Sequence, residues 1–176
     1  MEFCQLKNRY TIDRYSIMAE QMFFGNNGQG IGYYHVALEQ YDQLLNIIPE
    51  THRHHFDIKM MRINTAIPPH TDTGIRSTIN FYIETGDAVT QFYRVNTDAP
   101  TRHQVANQKD GYIYSESELT ATHAFVAEPG DAWLLDVTCP HAVIPAEPFE
   151  QRLAVAMGTA LDYDQVRELL IQTGEL

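Results

Sequence analysis

The part of the chain that follows Pro49 is a succession of short segments rich in β-branched and aromatic residues, interrupted by Pro, Gly and Asp. Segments of this kind, separated by turn residues, are typical of an antiparallel sandwich or barrel. The readable segments are His55 to Ile67, Ser77 to Glu84, Ala88 to Val95, His123 to Ala127, Ala132 to Val137, His141 to Pro145 and Arg152 to Thr159. A further one is indicated around Tyr112 to Tyr114, within the polar stretch from Asn96 to Leu119. The sequence therefore predicts a mainly β fold.

Helical periodicity is found near the two ends of the chain. From Tyr34 to Ile48 the apolar residues fall mostly three or four apart, and from Tyr163 to Ile171 they again share one side. A chain of 176 residues fits one domain with a substantial core. We expect an N-terminal helical flank over residues 1–50, a barrel core over residues 51–160 and a C-terminal helix over residues 161–176.

The charge of the chain limits its partners. Twelve Lys and Arg against 23 Asp and Glu give a net charge of −11, so the basic surface that nucleic acids or anionic membranes require is not indicated. The first ten residues contain no apolar run long enough for a signal or membrane-spanning segment. The two cysteines, Cys4 and Cys139, are interpreted as free thiols, which favours a cytoplasmic location.

A histidine and a carboxylate stand two residues apart in the segment Ile67-Pro68-Pro69-His70-Thr71-Asp72. Residues at i and i+2 of an extended chain point to the same side, so His70 and Asp72 can both reach one metal ion. An H-x-D pair alone also arises by chance, and a histidine at the rim of a barrel can simply bond a carbonyl. The pair becomes informative only with a third ligand.

That third ligand is predicted to be His141, which lies far downstream between two predicted strands. Antiparallel barrels bring distant strands together at their rim. Two histidines and one carboxylate on one face form the facial triad of non-haem iron(II) oxygenases, in which the remaining metal positions take a chelating cosubstrate and dioxygen. The sequence thus predicts that His70, Asp72 and His141 are both the metal ligands and the catalytic centre.

An arginine opens the last predicted strand, Arg152-Leu153-Ala154-Val155-Ala156-Met157-Gly158. Buried strands rarely contain arginine unless it has a charged partner. The residues on the same parity as Arg152 are small, which indicates free space beside its side chain. A guanidinium at the end of such a space can bind a carboxylate through two parallel hydrogen bonds.

The strand after the H-x-D pair has one apolar and one polar parity. The polar side chains are those of Arg76, Thr78, Asn80 and Tyr82. In a barrel that contains a cavity, Thr78, Asn80 and Tyr82 would contact a bound cosubstrate and Arg76 would meet a substrate. In an ordinary sandwich the same face would lie in water.

Two further residues are substrate-contact candidates. Arg62 lies on the strand that leads to His70 and is predicted at the pocket mouth, although a solvated strand face is the alternative. His103 lies in the long polar stretch, which is predicted to be either a lid or substrate-binding loop or a plain surface loop.

From about Lys59 to Thr159, the order of these features resembles the iron(II)/2-oxoglutarate-dependent oxygenases. It is most similar to their aspartyl/asparaginyl β-hydroxylase-like and prolyl-hydroxylase-like branches. The resemblance rests on the H-x-D pair, the polar-faced strand, Glu128-Pro129-Gly130-Asp131, Pro140-His141 and Arg152. It implies a double-stranded β-helix, that is a jelly-roll or cupin-like barrel, with flanking helices.

The resemblance also implies the cofactors. His70, Asp72 and His141 would bind iron(II), Arg152 would bind the distal carboxylate of 2-oxoglutarate, and dioxygen would complete the reaction. Many members of the family have Ser or Thr two residues after the arginine, where this chain has Ala154. Tyr82 or Thr78 would then replace the missing hydroxyl, or the cosubstrate would bind differently.

The leading hypothesis is therefore an oxygenase that hydroxylates a small molecule or a peptide side chain. One alternative is a cupin-type metal enzyme that does not use 2-oxoglutarate, and another is a jelly-roll binding protein without catalytic activity. A homodimer, formed through a barrel edge or the terminal helices, is a further expectation.

Overall fold

The computed structural model describes residues 2–12, 17–22, 31–36, 38–104, 111–147 and 151–176. Its strands are β1 Phe3–Gln5, β2 Ile17–Met22, β3 Ile31–Val36, β4 Phe56–Ile63, β5 Ile67–Thr71, β6 Ser77–Glu84, β7 Val89–Val95, β8 Arg102–Gln104, β9 Tyr112–Tyr114, β10 Leu119–Val126, β11 Ala132–Asp136, β12 His141–Ile144 and β13 Arg152–Thr159. Its helices are α1 Leu38–Leu45 and α2 Tyr163–Thr173, with short 3-10 helices at Glu50–His55 and Glu116–Glu118.

The strands form two antiparallel sheets. One has seven strands in the order β1-β11-β6-β13-β4-β3-β2, and the other has six in the order β10-β7-β12-β5-β9-β8. The central strands β11, β6, β13 and β4 face β10, β7, β12 and β5, and the chain passes repeatedly from one sheet to the other. This arrangement is a jelly roll, so the predicted fold class is confirmed.

Strand alternation divides the apolar residues into an outer and an inner set. In β6, Ile79 and Phe81 belong to the core between the seven-stranded sheet and the helices, whereas Tyr82 belongs to the cluster inside the barrel. The first six residues of β6 are all buried, because both of its faces are covered. The polar parity of this strand therefore does not lie in water.

The helix α2 covers the outer face of the seven-stranded sheet. It begins with a capping box between Asp162 and Gln165, and it buries Val166, Leu169 and Leu170. The shorter helix α1 contributes Leu44 and Leu45 to the same core. Among the described residues, no helix is long and apolar enough to cross a membrane.

The N-terminal region differs from the helical flank that the sequence predicted for residues 1–50. This region contributes β1, β2 and β3 to the seven-stranded sheet, and the helix predicted from Tyr34 to Ile48 spans only Leu38–Leu45. Tyr34 instead pairs with Met60 of β4. Pairing with an open sheet edge satisfies backbone groups that a free helix end would leave exposed, so tertiary context overrides the helical periodicity here.

The polar stretch from Asn96 to Leu119 contributes two short strands to a sheet. Its strands β8 and β9 pair with each other, and β9 pairs with β5, the strand that contains His70. Residues 105–110 lie outside the described part of the chain. The insertion therefore extends the six-stranded sheet next to a predicted metal ligand.

Candidate metal centre

Three side chains singled out in the sequence meet at one end of the barrel. His70, Asp72 and His141 each offer one ligand atom, and these atoms all lie within 4.8 Å of one another. Asp72 Oδ1 is 3.2 Å from His70 Nε2 and 3.9 Å from His141 Nε2. Two imidazole nitrogens and one carboxylate oxygen are a suitable donor set for iron(II).

Strand register brings these distant residues together. His70 in β5 and His141 at the start of β12 are direct cross-strand partners, and their ring centroids are 4.3 Å apart. Asp72 follows β5, and its backbone N–H donates a hydrogen bond to the Val137 carbonyl at 3.2 Å. The two histidines and the aspartate are therefore positioned by sheet pairing and a backbone bond between neighbouring loops.

Backbone carbonyls fix the orientation of both imidazoles. His70 Nδ1–H donates to the Pro68 carbonyl at 3.0 Å, and His141 Nδ1–H donates to the Cys139 carbonyl at 3.0 Å. This bonding turns the Nε2 atom of each ring toward Asp72. Metal-binding histidines commonly have such a partner on their other ring nitrogen.

The charges of the three groups are strongly coupled. Burial lowers the pKa of His141 to about 4, and the positive charge of His70 adds to this effect. Burial alone would also lower the pKa of His70, but the hydrogen bond and charge of Asp72 outweigh it and raise that pKa. Burial would raise the pKa of Asp72, but its bond to His70 and the charges of both histidines lower it. The carboxylate is thus ionised and the buried His141 is neutral, the states in which these two groups bind a metal, and a metal ion would displace the proton of His70 Nε2.

Arg152 is buried inside the barrel without an anionic partner. Its side chain is only 4% exposed, and no carboxylate among the described residues forms an ion pair with it. One guanidinium nitrogen donates to Tyr82 Oη at 2.5 Å and to Thr90 Oγ1 at 2.8 Å. The other two nitrogens, Nε and Nη1, are buried and have no hydrogen-bond partner. A buried cation with free donors is costly unless an anion binds there.

Thr90 is a site residue that sequence reasoning missed. It is 2% exposed on β7, in the sheet opposite to that of Arg152 and Ala154, and its hydroxyl contacts Arg152, whereas the resemblance led us to expect a hydroxyl at position 154. Tyr82, which the sequence did suggest for this purpose, contacts the same nitrogen. The position of Thr90 depends on which strand faces Arg152, so no local sequence pattern marks it.

The other predicted cosubstrate residues, Thr78 and Asn80, are each 5% exposed on β6. Thr78 Oγ1 donates to Asn80 Oδ1 at 3.2 Å. They lie on the inner parity with Tyr82, although the structure shows no contact between them and Arg152. Their predicted role in binding a cosubstrate stays a prediction.

Two predicted substrate contacts are engaged elsewhere in the structure. Arg76 is more than half exposed and forms an ion pair with Asp162 at the start of α2. Arg62 lies over the Tyr34 ring, at 5.5 Å from its centroid, and shares the outer parity of Met60. The residues of β4 that face the barrel interior are those of the opposite parity, so the structure does not bring Arg62 to the three ligands.

The third predicted substrate contact, His103, lies in line with the ligands. His103 of β8 pairs with Ile113 of β9. Ile113 also pairs with His70 of β5, and His70 pairs with His141 of β12. Directly paired residues share a face of a sheet, so His103 is on the ligand face, two strands from His70. Two inter-strand spacings correspond to about 10 Å. The side chain of His103 is exposed.

Tyr33 and Phe92 are further residues at the site that the sequence did not reveal. Tyr33 pairs with Met61, whose side chain faces the barrel interior, and the charge of Asp72 adds to burial in raising the Tyr33 pKa. The Phe92 ring is fully buried and stacks on His141 with centroids 5.6 Å apart. Both are ordinary aromatic strand residues in sequence, so only the pairing of the strands identifies them.

Comparison with known proteins identifies structures of similar fold. No family model matches the chain, and no curated protein matches it. The epimerase SnoN from nogalamycin biosynthesis, solved with Fe3+, alpha ketoglutarate and nogalamycin RO, is 13% identical and has a TM-score of 0.50, with 79% of this chain and 67% of that chain covered. At this identity the similarity concerns the fold alone.

Two other solved structures are more distant. The vicilin from Solanum melongena is 12% identical with a TM-score of 0.43, and the match covers 76% of this chain but only 30% of the vicilin. The polyketide cyclase RemF from Streptomyces resistomycificus is 10% identical with a TM-score of 0.41, covering 86% of this chain and 80% of that chain.

Proposed function

We propose that this protein is a non-haem iron(II)- and 2-oxoglutarate-dependent dioxygenase that hydroxylates a small molecule or a peptide side chain. The observation that carries the proposal is the combination of the His70, Asp72 and His141 donor set with a buried, unpaired arginine in the same barrel. A metal site alone would fit many enzymes. A dicarboxylate that chelates the metal explains both features at once.

The residues present fit iron(II) at the three ligands. Their donor atoms converge, the two Nδ1 atoms are already bonded to carbonyls, and His141 is held neutral. Three protein ligands leave metal positions available to other molecules. His70, Asp72 and His141 would therefore hold the ion, and stacking of Phe92 on His141 would keep that ring in place.

The residues around Arg152 fit the distal carboxylate of 2-oxoglutarate. The free Nε and Nη1 donors match a two-pronged carboxylate contact. The hydroxyls of Tyr82 and Thr90 hold the third nitrogen, which orients the guanidinium plane. The positive charge of Arg152 contributes to the lowered pKa of His141, which supports a guanidinium within electrostatic range of the ligands.

When bound, iron(II) and 2-oxoglutarate would supply the chemistry that activates dioxygen and oxidises a C–H bond, with release of succinate and carbon dioxide. The chain itself would position the two molecules and keep water away with the aromatic residues inside the barrel. The substrate would approach from the exposed side of the ligands. Tyr33 and His103 are the side chains we propose as its contacts.

Turnover of 2-oxoglutarate tests this function directly. Purified protein supplied with iron(II), 2-oxoglutarate and dioxygen is expected to form succinate slowly even without a substrate. His70→Ala should abolish succinate formation, whereas His52→Ala, a change at a partly exposed histidine in the 3-10 helix outside the barrel, should leave it unchanged. Equal succinate formation by the His70→Ala variant would refute the proposal.

A further inference from the structure

Arg94 is an exposed residue near the end of β7. Phe92, two residues earlier, belongs to the apolar cluster inside the barrel, and its ring stacks on His141. The register of β7 against β10 is regular from Tyr93 to Val95. Because side chains two residues apart in a regular strand lie on the same side, Arg94 is on the face of the six-stranded sheet that carries the metal ligands.

Strand pairing places Arg94 at the same end of the sheet as the ligand carboxylate. His70, His141 and Phe92 form one paired row across β5, β12 and β7. Both β5 and β7 are antiparallel to β12, so they run in the same direction, and Asp72 and Arg94 each come two residues after the row. A spacing of about 4.8 Å between strands and about 3.4 Å per residue puts the Cα atom of Arg94 about 8 Å from that of His141. An extended arginine side chain spans such a distance, so its guanidinium can reach a molecule held at the metal.

Arg94 differs from the other arginines that the structure describes, because its side chain has no partner. With the described part of the chain it forms no hydrogen bond, ion pair or ring contact. The other arginines contact carboxylates, a backbone carbonyl, hydroxyls or aromatic rings, and they are Arg9, Arg53, Arg62, Arg76, Arg102, Arg152 and Arg167. On a chain with a net charge of −11, an unpaired guanidinium beside the metal ligands is available to an anion from outside.

The carboxylates on the flanking segments do not neutralise Arg94. The side chain of Glu118 accepts hydrogen bonds from a backbone N–H and a hydroxyl of the loop before β8. Glu2 is paired with a histidine of β10. Burial and then the charge of Glu116 raise the pKa of Tyr93, whose side chain lies on the opposite side of β7 from Arg94. Arg94 thus forms no ion pair with any of these three glutamates.

The surroundings of Arg94 favour a carboxylate as its ligand. Two N–H groups of a guanidinium can bind both oxygens of one carboxylate in parallel. Phosphate sites commonly add the N-terminus of a helix, whereas α1 and α2 both pack on the other sheet. We propose that Arg94 binds a carboxylate of the substrate and so restricts the enzyme to small carboxylic acids. This inference rests on the proposed function, because the metal centre is what holds the substrate within reach of Arg94.

A screen of succinate formation at saturating iron(II) and 2-oxoglutarate tests the assignment. The probes are amino acids, N-acetyl amino acids and hydroxy acids, each tested beside its primary amide, which lacks the negative charge. At least one acid is expected to raise the rate above the substrate-free rate, and its amide should not. In Arg94→Met and Arg94→Gln, the concentration of that acid for half-maximal stimulation should rise at least about 10-fold. Arg94→Lys keeps the charge and should show a smaller rise.

The matched control is Arg102→Met, at an exposed arginine of β8 in the same sheet. Arg102 lies on the opposite face from its neighbour His103, so this variant should respond to the acid as the wild type does. Circular dichroism verifies that each variant is folded. Equal stimulation by the acid and its amide would overturn the inference, as would wild-type stimulation in folded Arg94→Met or Arg94→Gln.

The substrate-free rate separates failure of this inference from failure of the proposed function. If the wild type forms succinate on its own but no acid of the panel raises the rate, the role of Arg94 is refuted and the proposed function stands. If the wild type forms no succinate at all, the proposed function fails, and the role of Arg94 fails with it.

Discussion

At the scale of single residues, the unusual feature is Arg152. Its burial without a counter-charge is unfavourable for the ligand-free protein, and its two free donors point to an anion that the chain itself does not supply. The sequence identified Arg152 because arginine is rare in an apolar strand. It could not reveal Thr90, since the facing strand is known only once the sheets are formed.

Replacement of this arginine by methionine gives a prediction with two opposite readouts. Arg152→Met should weaken 2-oxoglutarate binding at least about 30-fold, because the charged partner of a buried carboxylate is lost. In the ligand-free protein the same change should leave the free energy of unfolding equal or higher, since a buried unpaired cation is removed. Calorimetric titration and urea unfolding measure the two effects.

The control for that variant is Arg167→Met, at an exposed arginine of α2. Arg167→Met should change neither the affinity for 2-oxoglutarate nor the free energy of unfolding. A marked loss of stability in ligand-free Arg152→Met would show that the arginine is satisfied in the native fold and is not reserved for an anion.

The Thr90 hydroxyl provides a finer test at the same scale. Thr90→Val removes one hydrogen bond that orients Arg152, so 2-oxoglutarate affinity should fall about 5- to 10-fold. Thr90→Ser retains the hydroxyl and should restore most of the affinity. If both variants bind the cosubstrate as the wild type does, Thr90 does not orient the guanidinium.

At the scale of elements, the sequence predicted most strands and the closing helix but not the N-terminal strands. The alternation in β6 and β13 is readable because one face of each strand packs in the large apolar core with the helices, whereas the other face lies toward the barrel interior. Strands near the edge of the sheet, such as β3 next to the edge strand β2, depend on their neighbours for hydrogen bonds, and helical periodicity in the same residues competes with them. Arg62 was predicted at the pocket mouth, but the parity of Met61 turns Arg62 to the outer face.

The closing helix offers a stability prediction. Leu170 is fully buried under α2, and Leu170→Ala should lower the free energy of unfolding by about 2–5 kcal/mol. The neighbouring Ile171 is 40% exposed, and Ile171→Ala should change the free energy of unfolding by no more than about 0.5 kcal/mol. Urea denaturation of both variants makes the comparison, and similar losses would mean that α2 does not pack through the Leu170 face.

At the scale of the whole molecule, the jelly roll could be predicted because its short, punctuated segments fit few other architectures. The distance between His70 and His141 in the sequence is bridged by the β5–β12 pairing that this fold provides. The order of the strands within the two sheets could not be predicted, because many strand orders satisfy the same alternation. The residues that lie beside the metal ligands therefore could not be predicted either.

Metal binding should stabilise the entire domain. The three ligands come from β5, the loop that follows it and β12, so an ion that binds only the folded chain favours folding. With iron(II) at 100 times its dissociation constant, the stabilisation should be about 2.7 kcal/mol. The melting temperature of wild-type and His52→Ala protein should rise anaerobically, and that of Asp72→Ala should not. An equal rise in all three would locate the metal elsewhere.

The most direct test of the central claim is an anaerobic titration with iron(II) and then 2-oxoglutarate, followed by visible absorption. We expect a weak charge-transfer band when 2-oxoglutarate chelates the bound iron, and we expect it at far higher 2-oxoglutarate concentrations in Arg152→Met. Iron binding without the band would contradict the use of 2-oxoglutarate and favour a cupin-type metal enzyme. If iron(II) does not bind at all, His70, Asp72 and His141 are not a metal centre.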